Sequence, residues 1–185
     1  MSQIHHLNTD ALEAGLQHIR LAPLDHGRLE MIVRRPDVEV REDINEGTLD
    51  MAEGLVGDNW SKRPSPRTSD GSPHPDMQLN IMNTRVISLL AGTKDRWKLA
   101  GDQLFTDLNL GNESLPPGTR LSIGTAVIEI TDQPHTGCKK FAARFGSDAL
   151  KFVNSPEGRA LNLRGVNARV TTPGNIAVGD TFSRV

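Results

Sequence analysis

Apolar residues in this 185-residue chain recur mostly at every second position, the spacing of a half-buried strand. In RLEMIVRRP, Leu29, Met31 and Val33 alternate with polar or oppositely facing residues, and Pro36 closes the run. VEVRE, residues 38–42, predicts a second short strand, and MQLNIM, residues 77–82, a third. The clearest hairpin is GTRLSIGTAVIEIT, where two alternating runs flank the turn dipeptide Gly124-Thr125. Near the end Val166, Ala168 and Val170 alternate, Pro173-Gly174 turns the chain, and Ile176 and Val178 alternate again. Helical spacing is confined to short pieces. NTDALEAGLQHIRLAP places Leu12, Leu16 and Ile19 on one stripe, with Asn8 or Thr9 as cap and Pro23 as stop. TRVISLLAG reads as a helix ended by Gly92. A further helix follows Cys138, with Phe141 and Phe145 one turn apart and Gly146 as its end. SDALKFVNS and SPEGRALNL give two more, the latter opening on Pro156.

There is no β-α-β rhythm and no internal repeat. The pattern therefore predicts a mainly β protein of antiparallel strands with short helices inserted, and a β-barrel is the arrangement that removes the sheet edges. Residues 1–27 read as an N-terminal helical extension and 28–185 as one barrel domain. Within that domain Ser61–Asp76 carries Pro64, Pro66, Pro73 and Pro75 among small polar residues, which excludes a helix or a central strand. It is either a flexible surface loop or a mobile lid, to which Lys62, Arg63, Arg67 and His74 would lend affinity for an anion.

Composition narrows the function. Two Trp, five Phe and no Tyr leave an aliphatic core, and a net charge of −2 argues against bulk affinity for nucleic acid or anionic membrane. No apolar run approaches the ~20 residues that span a bilayer. The lone cysteine and the absence of a signal-peptide pattern in MSQIHHLNTDALEAG point to a reducing, cytoplasmic setting.

That cysteine, Cys138 in DQPHTGCKKF, is the candidate reactive group. A free cysteine is often a small buried hydrophobe. Here it follows a strand and a glycine, opens a predicted helix and precedes Lys139 and Lys140, surroundings that favour a thiolate. His135 is a candidate proton partner. A zinc site is short of ligands, since His135 and Cys138 supply two and His74 at most a third. In GLVGDNW, Asp58 either caps a tight turn or serves a ligand. AGDQLFTDLNL offers Asp102 and Asn109 after a Gly-Asp turn signal. Arg159 and Arg164 are candidate anion ligands, Arg164 because Gly165 beside it permits close backbone approach, whereas Arg144 and Arg169 read as solvated surface charges. No Gly-rich phosphate loop is present.

Taken in order, GLVGDNW, MQLNIM, AGDQLFTDLNL, LPPGTRLSIGTAVIEIT, PHTGCKKF and LRGVNARVTTPGNIAVGDTF resemble the MOSC domain family, named for the C-terminal domain of molybdenum cofactor sulfurase. The resemblance covers roughly residues 28–185 and implies a compact β-barrel of the kind also found in pyruvate kinase. It maps the family cysteine, which carries sulfur or ligates the molybdenum of a pterin-bound cofactor, onto Cys138. The implied site has Cys138, His135 and Asp58 in catalysis and Lys139, Arg159, Arg164, Asp102 and Asn109 around the cofactor. The implied activity is reduction of N-hydroxylated compounds with electrons from a redox partner, or else sulfur or cofactor carriage. The pyridoxal phosphate associated with the family belongs to the sulfurase's separate aminotransferase-like domain, so it is not expected on this chain. Two positions depart from the common pattern. Gly137 stands where many members carry proline, and is expected to widen backbone freedom beside the thiol. Gly101-Asp102-Gln103 stands where many have Gly-Glu-Asn.

Overall fold

A computed structural model describes residues 6–185. Its strands are β1 (Gly27–Arg34), β2 (Glu42–Ile44), β3 (Glu46–Asp50), β4 (Gly54–Leu55), β5 (Leu79–Asn83), β6 (Leu104–Thr106), β7 (Arg120–Ile123), β8 (Ala126–Ile130), β9 (Val166–Thr172), β10 (Gly174–Ala177) and β11 (Thr181–Arg184). Its α-helices are α1 (Thr9–Ala14), α2 (Leu16–Arg20), α3 (Thr84–Ala91), α4 (Lys139–Phe145), α5 (Ser147–Asn154) and α6 (Pro156–Ala160). Strands pair in the order β11-β7-β8-β9-β5-β6-β1, and β1 returns to β11, so the sheet closes into a seven-stranded barrel. β2 adds to the far end of β1, and β10-β3-β4 form a small separate sheet.

Alternation along the strands divides the core in two. Leu79, Ile81, Leu104, Leu121, Ile128, Ala168, Val170 and Phe182 share one buried cluster with Leu29 and Ile32. Met82 and Phe105, on the opposite faces of β5 and β6, pack with Leu12, Ile19, Val86, Ile87, Phe141, Phe145 and Phe152 of the helices. Met31 and Val33 join this second cluster rather than that of Leu29. A register shift between Leu29 and Met31 reverses the parity of β1, which simple alternation does not foresee.

Other expectations also change. The first helix breaks at Gly15 into α1 and α2. Residues 38–41 are not a strand: Asp37–Val40 are exposed, and β2 begins only at Glu42. β5, α3 and β6 form one β-α-β unit, since β5 and β6 are parallel. β10 does not fold back on β9 but pairs with β3. Gly124 takes φ 55° at the hairpin turn, as its sequence position demands. Among the described residues no helix is long and apolar enough to cross a membrane.

Candidate functional site

The crossover from α3 to β6 ends in Gly101-Asp102-Gln103, and this tripeptide organises the charged centre of the molecule. The carbonyl of Gly101, at φ 87°, accepts from Arg35 Nη1 at 2.7 Å. Asp102 is fully enclosed; its two oxygens accept from Arg164 Nη1 at 2.9 and 2.7 Å, and Oδ1 pairs with His135 Nε2 at 2.7 Å. Arg164 Nη2 reaches the carbonyl of Ala100 at 2.9 Å, and the guanidinium lies over the ring of Phe141. Gln103 donates to Gln78 O and to Asp58 Oδ2.

Asp58 is sealed in the same way. It accepts from Arg35 through the backbone amide, Nε and Nη2 at 2.8, 2.9 and 2.7 Å, and from the amide of Trp60. Gly54 and Gly57, at φ 72° and 83°, shape the turn that delivers it. Its oxygens are consumed holding Arg35, and Asp58, expected in catalysis, does not line the cavity beside Cys138.

Arg35 and Arg164 thus stand buried and individually neutralised in the wall of a cavity of about 540 Å³. Cys138 is exposed in that wall, at the N-cap position of α4, where its side chain makes no capping bond. The wall also carries the cations Arg41, Arg63, Arg67, Lys140 and Arg144 among neutral residues such as Trp60, Met77 and Phe141, and its carboxylates among the described residues are Asp37 and Glu39. Glu39 is bound by Arg144 at 2.6 Å and Lys140 at 3.3 Å. Arg41 and Arg63 form no ion pair among the described residues, although Glu39 attracts Arg41 and Asp58 attracts Arg63 from further off, and Arg41 Nε is buried without an acceptor. Partial desolvation, followed by the charge of Arg144 for Arg41 and of Arg35 for Arg63, lowers the pKa of both guanidinium groups against the opposing pull of Glu39 and Asp58, although Arg63 is exposed and Arg41 half-buried. Cations thus outnumber carboxylates in the wall that also carries the thiol.

Burial first, then the charge of Arg164, holds the pKa of His135 below the ordinary histidine value, because Asp102 is already offset by Arg164. Burial opposes the charge of Asp102, but Arg164 and then His135 overcome it and keep the carboxyl below the usual range. At neutral pH the imidazole is uncharged, and the ionised carboxylate requires its proton on Nε2. Nδ1 is left with no bond to the described protein, beside the cavity.

Of the residues expected around a cofactor, the structure brings Cys138, His135 and Arg164 together and separates the rest. Lys139 is exposed and does not line the cavity; Lys140 takes that place. Asn109 braces a remote loop through Gly111 and Ser114. Arg159 lines a second hollow of about 230 Å³, which shares His135, Thr136 and Arg164 with the first. Asp102 acts beneath His135 and Arg164 rather than on the surface. Arg144, expected as a solvated charge, is largely buried in the wall. Arg63, Arg67 and His74 show that the proline-rich segment builds one side of the cavity. Gly137 has less freedom than its composition suggested. Asn154 Oδ1 accepts from its amide and Asn154 Nδ2 donates to its carbonyl, while a Cβ would meet Leu150 at 2.8 Å. Arg35, Arg41 and Glu39 carry no motif; only folding identifies them.

A barrel with an exposed cysteine at the start of a helix and a cationic hollow beside it defines the class, and the MOSC domain model matches residues 77–183. The chain belongs to the MOSC domain family. Solved structures agree on the fold. YuaD from Bacillus subtilis is 17% identical, with a TM-score of 0.63 over 84% of this chain and 93% of that one. YiiM from Escherichia coli is 20% identical, with a TM-score of 0.56 over 85% and 69%. YiiM from Geobacillus stearothermophilus is 15% identical, with a TM-score of 0.54 over 88% and 73%. No protein of curated function matches by sequence.

Proposed function

We propose that this protein binds a pterin-linked molybdenum cofactor beside Cys138 and reduces N-hydroxylated compounds. The observation that carries the reading is the pairing of an exposed sulfur with unmatched cations in one cavity. The fit is physical. Its volume lies within the ~300–1,000 Å³ of small-molecule sites, and the buried, unpartnered Nε–H of half-exposed Arg41 needs an acceptor that an anionic ligand would supply.

Cys138 would be the protein's sulfur ligand to the metal, a soft donor suited to it. Arg41 and Arg63, joined by Lys140 and Arg144, would hold the phosphate of the pterin. The cofactor supplies the redox chemistry, an exchange of two electrons with the substrate. Converting an N-hydroxy group to an amine consumes those two electrons and two protons and releases water. His135 suits the proton side of this balance, since Asp102 fixes its tautomer and leaves Nδ1 without a partner on a residue that lines the cavity. Electrons would come from a partner protein, because the sequence carries neither a flavin motif nor iron–sulfur cysteines. The exposure of Cys138 also favours a second reading, in which the thiol accepts and hands on a sulfur atom without catalysis.

The test is anaerobic purification from a cofactor-producing host, followed by metal and pterin analysis of wild type and Cys138→Ser. Near-stoichiometric molybdenum and pterin are expected in the wild type, and neither in the variant. The exposed substitution should shift stability by no more than about 0.5 kcal/mol. Wild-type protein free of molybdenum and pterin overturns the reading. An added sulfur on Cys138 by mass spectrometry would then favour the carrier.

A further inference from the structure

The turn between β1 and β2 has an unusual attachment. Asp37 to Val40 are all exposed, and two of them are valines, at 73% and 42% exposure. Within the turn, Val38 N donates to Asp37 Oδ1 and Val40 N to Asp37 O. Beyond residue 41, hydrogen bonds and ion pairs of Asp37–Val40 to the described protein run through one group, the carboxylate of Glu39. Glu39 itself sits at φ 60°, the left-handed region that a side chain disfavours. A strained, exposed turn is therefore held across the cavity mouth by two ion pairs to α4. Both of its cationic partners, Arg144 and Lys140, line the cavity that contains Cys138.

This geometry is that of a displaceable internal anion. The Lys140 pair is exposed and the Arg144 pair has its Glu39 side in solvent; such pairs are weak and screened by salt, so they can open without disturbing the barrel. Opening would release Lys140 and Arg144 and take from Arg41 the carboxylate that attracts it, while Arg63 already stands without an ion pair among the described residues. A group with more than one negative charge answers that set better than a single carboxylate, and guanidinium forks suit its oxygens. Resting on the reading that the cavity takes an anionic ligand, we propose that Arg144 and Lys140 form a phosphate subsite which Glu39 fills as a stand-in, so that ligand binding expels Glu39 and swings the 37–41 turn outward. The turn then acts as a latch on the site. It discriminates against monoanions, which cannot compete with a carboxylate already tethered in place.

The probe is inorganic pyrophosphate, titrated at low salt into wild type and Glu39→Gln, with acetate as the monoanion control and amide hydrogen exchange of Val38 and Val40 as the structural readout. Glu39→Gln is expected to bind pyrophosphate about fivefold more tightly, an advantage that vanishes at high salt. Adding Lys140→Gln to Glu39→Gln should cancel the gain. In the wild type, saturation with pyrophosphate should speed exchange at Val38 and Val40 to the rate of unliganded Glu39→Gln, whereas acetate should leave it unchanged. Equal or weaker pyrophosphate binding by Glu39→Gln, exchange unaltered on saturation, or no binding to either protein overturns the proposal. If Glu39→Gln behaves as stated while the purified wild type holds no molybdenum, the cofactor reading fails and the subsite stands. If cofactor is bound and Glu39→Gln changes nothing, the subsite alone fails.

Discussion

Replacing Asp102 with asparagine removes one negative charge from the centre of the molecule while keeping the side chain's shape. The carboxylate is fully enclosed and Arg164 nearly so, with side-chain exposures of 0% and 9%. Stripping the partner from a buried cation costs about 3–5 kcal/mol. The amide oxygen can still accept one bond from Arg164, so the lower half of that range is expected. Urea unfolding followed by the fluorescence of Trp60 and Trp97 measures it. With a slope near 2 kcal/mol/M the midpoint should fall by roughly 1.5–2 M. The pH dependence adds a second check. The folded pKa of Asp102 lies below its unfolded value, so its stabilisation is complete above the ordinary carboxylate range and is lost only as pH falls through the folded value. The wild-type advantage should therefore persist from pH 8 to 5 and close only in stronger acid. His135 acts over a different window. Its folded pKa is depressed, so below about 6.5 the unfolded chain takes up a proton that the folded chain refuses, and the wild type loses stability there. In Asp102→Asn the imidazole loses its one anionic neighbour, and this acid loss should deepen. A deficit below about 1 kcal/mol at pH 7, or one that shrinks between pH 7 and 5, would refute the account of the buried centre.

Gly137→Pro, the residue common in the family at this position, should destabilise this chain by about 2–3 kcal/mol, because it deletes the amide that donates to Asn154 and forces a ring against Leu150 and Val153; thermal unfolding reads this directly, and an unchanged transition would contradict the clamp. Arg63→Gln should leave the melting temperature of the ligand-free protein within about 2 °C, since the repulsion from Arg35 is opposed by the attraction of Asp58 at an exposed position, and should weaken pyrophosphate binding. Unchanged pyrophosphate binding would show that Arg63 does not contribute to the anion site.

Periodicity and punctuation are local, so the sequence alone determined much of the barrel. The β7–β8 hairpin, the strand at 166–172, α3 ending at Gly92 and α4 opening after Cys138 all follow from side-chain spacing and glycine placement within a few residues. The same spacing singled out Cys138 and His135. Tertiary structure decided where charge is spent. Arg35 carries no local signal and Arg164, singled out by the neighbouring Gly165, reads as a free anion ligand until burial and the carboxylates of Asp58 and Asp102, supplied from distant segments, make both fixed and neutralised. Arg41, Arg63 and Glu39 acquire meaning only from what lies, or fails to lie, within a few ångströms of them. The reversed face of Met31 and the exposed turn at Asp37–Val40 likewise depend on pairing with β6 and α4. A backbone pattern depends on neighbours in sequence, whereas the energy of a charge depends on its solvent exposure and its partners in space, which the chain acquires only once the barrel has closed.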